Sequence, residues 1–273
     1  VEHRMKQTFK RLVPPPLWTA LRDSYDALRR LPEVGPAYLH PWRRESMRRL
    51  AALKDSQRGR RAFILGNGPS LRQTDLTKLR GEFTFGLNRI YLLFPELGFP
   101  TTCLVSTNDL VIEQCRQEML ALSIPLFLTW RARRFFAAAP EPLPTFLYTT
   151  YTGPRFASDA RGRLWEGATV TYVALQLAFH MGFDQVILVG VDHNFVTQGQ
   201  ANQTVVSEGD DPNHFAPHYF GKGFRWQLPD LATSERAYRM ARAAFESAGR
   251  QVLDATVGGK LTVFPKVDYP TLF

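Results

Sequence analysis

The stretch AFILGNGPSL, residues 62–71, decides how the rest of the chain is interpreted. Four apolar residues, Ala62–Leu65, stop abruptly at a glycine-rich turn, and a polar segment compatible with a helix follows. This order predicts a buried strand that leads through a tight turn into a helix N-terminus, where unpaired N–H groups and the helix dipole favour a phosphate. The alternative is an ordinary strand-to-helix turn. The predicted nucleotide-binding residues of this turn are Gly66, Asn67, Gly68, Pro69 and Ser70.

From Arg61 onward, apolar runs alternate with helix-like segments, which predicts an α/β fold with a Rossmann-like, mostly parallel sheet flanked by helices. The predicted strands are Ala62–Leu65, Thr84–Leu87, Thr102–Ser106, Leu126–Thr129, Thr145–Tyr148, Gln185–Val189 and Gln251–Asp254. The predicted helices are Ser70–Leu79, Leu110–Ala121, Thr169–Met181 and Ser234–Ala248.

A chain of 273 residues suits one α/β domain with additions. We divide it into a basic helical appendage, residues 1–60, and a nucleotide-binding domain, residues 61–273. The appendage has one basic helix broken by the prolines at 14–16 and two further helices, Leu17–Leu31 and Arg43–Lys54, joined by a linker, Pro32–Pro41. No segment approaches the roughly 20 apolar residues of a membrane span, and two cysteines make no disulfide framework. A cytoplasmic location is therefore expected.

The formal net charge of +9 lies largely in the appendage. No zinc-finger or RNA-binding motif accompanies the charge, so nucleic acid is not the expected partner. An anionic membrane face, such as the inner membrane, or a polyanionic acceptor fits equally well. The alternative is a solvated basic face that aids solubility. A homo-oligomer is compatible with the composition.

Polar residues follow several predicted strands, where ligands bind in open α/β sheets. Asn88 follows the second strand, Asn108 the third, and Asp192 with His193 the strand Gln185–Val189. Thr169, at the start of its predicted helix, joins the same candidate nucleotide site. This set suits hydrogen bonds to a ribose, a base or a sugar. The alternatives are helix caps for both asparagines, and a cap plus an exposed histidine for the Asp192–His193 pair.

A long irregular segment, residues 194–230, is rich in aromatic residues and is predicted to form an ordered lid. His214, His218 and Lys222 are its candidate catalytic groups. Tyr219 and Arg225 are candidate phosphate contacts. The spacing of the two histidines would suit a metal only on a helix, which Pro212 and Pro217 disfavour, so no metal site is predicted.

Three segments together resemble the bacterial sialyltransferases of glycosyltransferase family 42. They are GNGPSL followed by FGLNRIYL at residues 85–92, TVTYVALQLAFHMGFDQVILVGVDHNF at residues 169–195, and HYFGK at residues 218–222. The resemblance implies that Asn67, Asn88 and Asn108 contact a CMP-type donor. It also implies an inverting, metal-independent reaction in which a lid histidine deprotonates the acceptor and a lid tyrosine binds the phosphate. Lys222 stands where that family has the general-base histidine, which leaves the base role to His214 or His218.

The same core also resembles the MptE-like proteins, which are related to archaeal 6-hydroxymethylpterin diphosphokinases. The glycine turn, the strand end at Asp192 and the lid sequence EGDDPNHF followed by YFGKGFRW carry this likeness. A diphosphokinase would need Mg²⁺ on the ATP phosphates, with Asp192, Asp210 or Asp211 as ligands.

The leading hypothesis is therefore a glycosyltransferase that carries a sugar from a CMP-linked donor to a glycan acceptor without a cofactor. The first alternative is the Mg²⁺-dependent pterin diphosphokinase. The second alternative is a non-catalytic module that binds a nucleotide or a polyanion.

Overall fold

An eight-stranded parallel sheet forms the centre of the computed structural model, which describes residues 14–151, 153–196 and 199–273. In chain order its strands are β1 (Arg61–Leu65), β2 (Phe83–Leu87), β3 (Cys103–Ser106), β4 (Leu126–Thr129), β5 (Thr145–Thr150), β6 (Arg163–Trp165), β7 (Gln185–Val189) and β10 (Gln251–Asp254). Two short strands, β8 (Thr204–Val206) and β9 (Arg225–Gln227), form a separate antiparallel pair in the lid. The predicted α/β class and parallel sheet are confirmed. The basic helix predicted before Pro14 lies outside the described residues.

The α-helices among the described residues are α1 (Pro15–Leu39), α2 (Pro41–Leu53), α3 (Phe94–Leu97), α4 (Asp109–Leu120), α5 (Val170–Met181) and α6 (Leu231–Ser247). Short 3₁₀ turns are formed by Pro69–Gln73, Leu76–Leu79, Ile90–Leu93, Trp130–Phe135 and Tyr269–Leu272. None of the described helices has both the length and the apolar content needed to cross a bilayer.

The sheet is buried on both faces, as parallel sheets require. In β1, Phe63 and Leu65 belong to one hydrophobic core, whereas Ala62 and Ile64 belong to the other. Helix α4 and the lid aromatics contribute to the first core, and α5 and α6 contribute to the second. The predicted lid is therefore packed against the sheet through its aromatic side chains.

The strand order is β10-β7-β1-β2-β3-β4-β5-β6, so the chain changes direction across the sheet between β1 and β7. Such a switch point leaves a crevice at the carboxyl ends of the two strands. At this crevice the Gly66 N–H donates to the Val189 carbonyl over 2.8 Å, and the Gly68 N–H donates to the Gly190 carbonyl over 2.9 Å. The glycine turn therefore continues the pairing of β1 with β7 beyond the end of the strand.

Two predicted elements are wrong. Residues Ser70–Leu79 do not form one helix, because Thr74 is extended and the Asp75 carboxylate caps a second 3₁₀ turn by accepting from the Thr77 N–H. The linker Pro32–Pro41 is mostly helical, because α1 runs through Pro32 and Pro36 to Leu39. An ion pair of 2.7 Å between Glu33 and Arg133 and the complete burial of Ala37 hold this part of α1 on the protein.

Gly66→Ala tests the close approach of β1 and β7. A Cβ at this position would lie 2.2 Å from the Gly190 carbonyl oxygen, so the backbone must shift. We expect the free energy of unfolding to fall by about 1–3 kcal/mol, the usual cost of overpacking. Gly209→Ala is the control, because an added Cβ there meets nothing within 4 Å. Urea denaturation measures both variants, and equal stability of the two would contradict this account of the turn.

Candidate functional site

A cleft lies over the carboxyl ends of the strands and has two connected parts. The main chamber, about 830 Å³, lies over β3 to β6 and is bordered by the lid and α1. The inner chamber, about 170 Å³, lies at the β1–β7 switch point. Asn88, Thr169 and His214 line both chambers. The volume is within the range of small-molecule sites, and the position is the one that ligands take in this fold class.

The glycine turn borders the inner chamber, but the backbone N–H of Ser70 already has a hydrogen-bond partner within the protein. The Ser70 N–H donates to the Asp192 carboxylate over 3.1 Å, and the Ser70 hydroxyl donates to it over 2.7 Å. A Cβ on Gly68 would lie 1.8 Å from the same carboxylate. Burial raises the pKa of Asp192, while the two Ser70 hydrogen bonds act in the opposite direction. Asp192 therefore occupies the place where the sequence predicts a phosphate, and Pro69 lies exposed outside both chambers.

Asn67 lies at the tip of the turn and has one unused acceptor. Its Nδ2 donates to the Leu87 carbonyl over 3.0 Å, and its own carbonyl accepts from the Phe215 N–H over 2.9 Å. Its Oδ1 is buried and has no hydrogen-bond partner among the described residues. Buried acceptors are normally paired, so this oxygen is suited to receive a donor from a ligand or a water molecule. The turn thus offers a ligand the side-chain amide oxygen of Asn67, rather than the unpaired backbone N–H groups that the sequence predicts for a phosphate.

Asn88 and Asn108 differ in what their side chains do. Asn88 has a left-handed φ of 48°, and its Oδ1 accepts from the Ser106 hydroxyl over 3.0 Å at the border of both chambers. Asn108 caps α4, because its Oδ1 accepts from the N–H groups of Leu110 and Val111. The capping alternative is therefore correct for Asn108, although the residue still lines the main chamber.

Three helix N-termini open on the cleft, one each from α4, α5 and α6. Their capping residues are Asn108, Thr169 and Asp230, and all three line the main chamber. Thr169 accepts from the Thr171 N–H over 3.3 Å. The positive ends of three helix dipoles thus point at one space, which favours an anionic group there.

His214 forms a carboxylate–histidine pair with Asp211. Its Nδ1 lies 2.7 Å from Asp211 Oδ2, and the side chains are 13% and 4% exposed. The imidazole stacks on the Tyr219 ring with 4.0 Å between the centroids and an angle of 5°. Asp211 is itself fixed because its Oδ1 accepts from the Asn213 N–H over 2.9 Å. This geometry orients the imidazole so that its other nitrogen is available to exchange a proton.

The remaining lid candidates do not join His214 in the cleft. Tyr219 is 1% exposed, and its hydroxyl accepts from the Arg89 N–H over 3.3 Å, so it packs under the histidine rather than facing a ligand. Burial raises the pKa of this tyrosine. His218 and Lys222 are exposed and line neither chamber. Arg225 is exposed and pairs with Glu113 on α4 over 2.9 Å. Among the sequence-predicted catalytic residues, only His214 lies at the cleft.

A polar cluster around Arg131 is absent from the sequence-based prediction. The Arg131 guanidinium donates to Glu166 over 2.8 Å, to Thr149 over 3.1 Å and to the Tyr151 hydroxyl over 2.9 Å. It also lies over the Tyr151 ring at 4.3 Å from the centroid. Burial raises the pKa of Glu166, and Arg131 opposes this rise. The cluster forms one wall of the main chamber.

The signal for this cluster was present in the sequence. Arg131 lies two residues after the end of β4, and Tyr151 directly follows β5. The rule that selected Asn88 and Asn108 therefore applies to them as well. Glu166 could not be predicted by this rule, because β6 has only three residues and was not itself predicted.

The three carboxylates considered as magnesium ligands do not share one place. Asp192 is bonded to Ser70, Asp211 is bonded to His214, and Asp210 is exposed and lines neither chamber. Within the described parts of the chain, no three His, Cys, Asp or Glu side chains are grouped so as to hold a metal ion. Asp192 and Asp211, two of the alternative magnesium ligands, are therefore each engaged with a neighbouring side chain, and the third, Asp210, lies away from the cleft.

Arg131→Met tests the buried ion pair through its pH dependence. Without the guanidinium the pKa of Glu166 should rise further above its unfolded value of about 4.3. A raised carboxyl pKa means that the folded state binds more protons, so stability is kept at low pH and lost as the pH rises. We expect an unfolding free energy about 3–5 kcal/mol below that of the wild type at pH 7, and a smaller difference at pH 5.

Urea denaturation at the two pH values measures this effect. The double variant Arg131→Met/Glu166→Gln should recover most of the loss at pH 7, because no buried charge then remains unpaired. A loss of the same size at both pH values, or no recovery in the double variant, would contradict the assignment.

Comparison with known proteins gives one family match. The model of the family described as 6-hydroxymethylpterin diphosphokinase MptE-like matches residues 43–198, more than half of the chain. Among solved structures, the MAf glycosyltransferase from Magnetospirillum magneticum AMB-1 is 17% identical with a TM-score of 0.47, over 95% of this chain and 43% of its own. The chain thus spans less than half of that protein, and no curated protein matches it. The resemblance to the sialyltransferases stays a prediction, whereas the second resemblance is confirmed: the chain belongs to the MptE-like family.

Proposed function

We propose that the protein is a transferase that binds a nucleotide-activated donor in the cleft and transfers a group to a hydroxyl acceptor. The observation that carries this proposal is the His214–Asp211 pair at the junction of the two chambers. A histidine oriented by a buried carboxylate is suited to remove the proton of an attacking hydroxyl. The carboxylate fixes the ring and stabilises the imidazolium that forms.

In this proposal the donor nucleotide occupies the inner chamber and the adjoining wall of the main chamber. Asn67 Oδ1 accepts a hydrogen bond from the base or ribose, and Asn88 borders the same space. The leaving phosphate faces the N-terminus of α5, whose dipole offsets the charge that develops on departure. The main chamber takes the transferred group and the acceptor.

A sugar is the transferred group that we favour, from a CMP-linked donor and in an inverting reaction. Both carboxylate oxygens of Asp192 and of Asp211 already have hydrogen-bond partners within the protein, whereas the helix N-termini favour an anionic group without a metal. The acceptor hydroxyl attacks the anomeric carbon from the side opposite the phosphate. The bond between the anomeric carbon and the phosphate oxygen breaks, so that CMP leaves, and His214 takes the proton of the hydroxyl. Lys222 and His218 are left outside this mechanism.

Diphosphoryl transfer from ATP is the second candidate, because the chain belongs to a family named for that reaction. It would use the same histidine on the acceptor hydroxyl. The two candidates differ in the donor and in the need for Mg²⁺.

Calorimetry with CMP and with ATP, each with and without Mg²⁺, separates the two candidates. We expect CMP to bind without metal and Asn67→Ala to weaken that binding by about tenfold, or about 1.4 kcal/mol, because the ligand loses its contact with the amide. Thermal unfolding checks that the variant is folded. Diphosphoryl transfer would be favoured if ATP binds and CMP does not, and if ATP binds only when Mg²⁺ is present. Unchanged CMP affinity in folded Asn67→Ala would exclude the proposed donor site.

His214→Ala, with His218→Ala as the matched control, tests the general base. We expect His214→Ala to lower the release of CMP from CMP-sialic acid by about 10²- to 10⁴-fold while CMP affinity changes little. His218→Ala should keep the wild-type rate, because this exposed histidine lines neither chamber. A full rate in His214→Ala, or a loss confined to His218→Ala, would refute the assignment of the base.

A further inference from the structure

Arg89 directly follows Asn88 in the turn after β2, but its surroundings are different. Asn88 borders both chambers, whereas Arg89 lines neither of them and is only 9% exposed. Because taking a cation out of water is costly, a buried arginine is expected to have directed partners. The partners of Arg89 lie on the lid and on α4.

On the lid, Arg89 holds Tyr219 at two points. Its backbone N–H donates to the Tyr219 hydroxyl over 3.3 Å, and its Nη1 donates to the Tyr219 carbonyl. The guanidinium also lies 5.8 Å from the centroid of the Tyr219 ring and 5.3 Å from the centroid of the Phe224 ring. Both ends of Tyr219, the hydroxyl and the backbone carbonyl, are thus bonded to one residue, which limits how far the ring can tilt or slide.

On α4, Glu118 supplies the counter-charge. Arg89 Nη2 donates to Glu118 Oε2 over 3.4 Å, and Arg89 Nε donates to the Tyr91 hydroxyl over 3.4 Å. The Tyr91 hydroxyl donates in turn to the same Glu118 oxygen over 2.6 Å. A buried ion pair seldom stabilises a fold more than apolar side chains of similar volume would. We therefore ascribe to this network a fixed geometry, rather than a large gain in stability.

The ring that Arg89 fixes is the ring on which His214 stacks. The centroids of the Tyr219 and His214 rings are 4.0 Å apart, and the two planes are nearly parallel. Asp211 holds the imidazole at one nitrogen only, and a single hydrogen bond leaves a ring free to turn about it. The stack on Tyr219 prevents that rotation, so the orientation of the imidazole depends on the orientation of Tyr219.

We propose that Arg89 is a positioning residue for His214, which it orients through Tyr219. This inference rests on the proposed role of His214 as the general base, whichever group is transferred. The turn that places Asn88 at the nucleotide chamber also places Arg89 against the lid. One turn therefore sets the distance between the donor site and the group that activates the acceptor. Arg89 touches no ligand in this mechanism and acts only through the lid.

Arg89→Met tests the proposal kinetically, because methionine is a long side chain without a directed donor. We expect the release of CMP from CMP-sialic acid to fall about 10- to 100-fold while CMP affinity is unchanged, since a small displacement of a reacting group can cost that much. In the His214→Ala background the same substitution should lower the rate no further, because the imidazole is already gone. Thermal unfolding checks that each variant is folded.

Arg225→Met is the matched control. Arg225 also joins the lid to α4, through Glu113, but it is exposed and lines neither chamber, so this variant should keep the wild-type rate. Glu118→Gln is a second test variant that leaves Arg89 in place and changes a half-exposed side chain. It should lower the rate by a smaller factor than Arg89→Met, and it keeps the proposal testable if Arg89→Met does not fold.

Proton NMR of the histidine rings tests the positioning without any turnover. An aromatic ring stacked at 4.0 Å shields the imidazole protons, so the His214 ring signals should lie upfield of those of the exposed His218, and His214→Ala identifies them. In Arg89→Met, and to a smaller extent in Glu118→Gln, the His214 signals should move downfield while the His218 signals stay in place.

Unchanged His214 signals, or a wild-type rate, in a folded Arg89→Met or Glu118→Gln protein would overturn the proposal. A further loss of rate in the His214→Ala background would also overturn it, because Arg89 would then act on something other than the imidazole. A full rate in His214→Ala would refute the general base and this role of Arg89 with it. A loss in His214→Ala together with a full rate in Arg89→Met would refute the positioning role alone.

Discussion

The contact between the Asp192 carboxylate and Ser70 is the constraint on which the switch-point end of the cleft depends. It joins the loop after β7 to the turn after β1, through one N–H and one hydroxyl donor. Gly66 and Gly68 permit this contact because a Cβ at either position would collide with the β7 loop. The glycine turn is thus shaped by the protein's own carboxylate, and Asn67 is left at the tip with an unpaired oxygen at the inner chamber.

The orientation of the His214 imidazole depends on the two side chains that contact it, Tyr219 and Asp211. Tyr219, predicted to bind phosphate, instead carries the imidazole on its ring while its hydroxyl is bonded inside the core. Asp211 holds the histidine from the side. Because the aromatic residues of the lid are part of the core, the histidine is held in place before any ligand arrives, which is what a general base requires. The Arg131 cluster fixes the far wall of the main chamber in the same manner, through a buried ion pair.

The parallel sheet could be predicted because its strands are short apolar runs bounded by polar turns. Asn88 was predicted as a site residue because it follows a strand, and His214 because it lies in the aromatic-rich segment 194–230; both line the cleft. Other features depend on contacts distant in sequence. Asp192 and Ser70 are 122 positions apart, so local pattern gave no sign that one would cap the other. The break at Thr74 and Asp75 and the continuation of α1 through two prolines also follow from side-chain and tertiary contacts rather than from periodicity. Strand β6 has three residues, too few for alternation to be read.

The proposed reaction depends on a nucleotide that binds where the β1 turn meets the β7 loop. The most direct test is a crystal structure of the protein grown with a saturating concentration of CMP. We expect nucleotide density in the inner chamber and along the adjoining wall of the main chamber, with a donor atom of the ligand within hydrogen-bond distance of Asn67 Oδ1 and His214 beside the phosphate end. Density for CMP at another surface, with the inner chamber filled only by water, would contradict it.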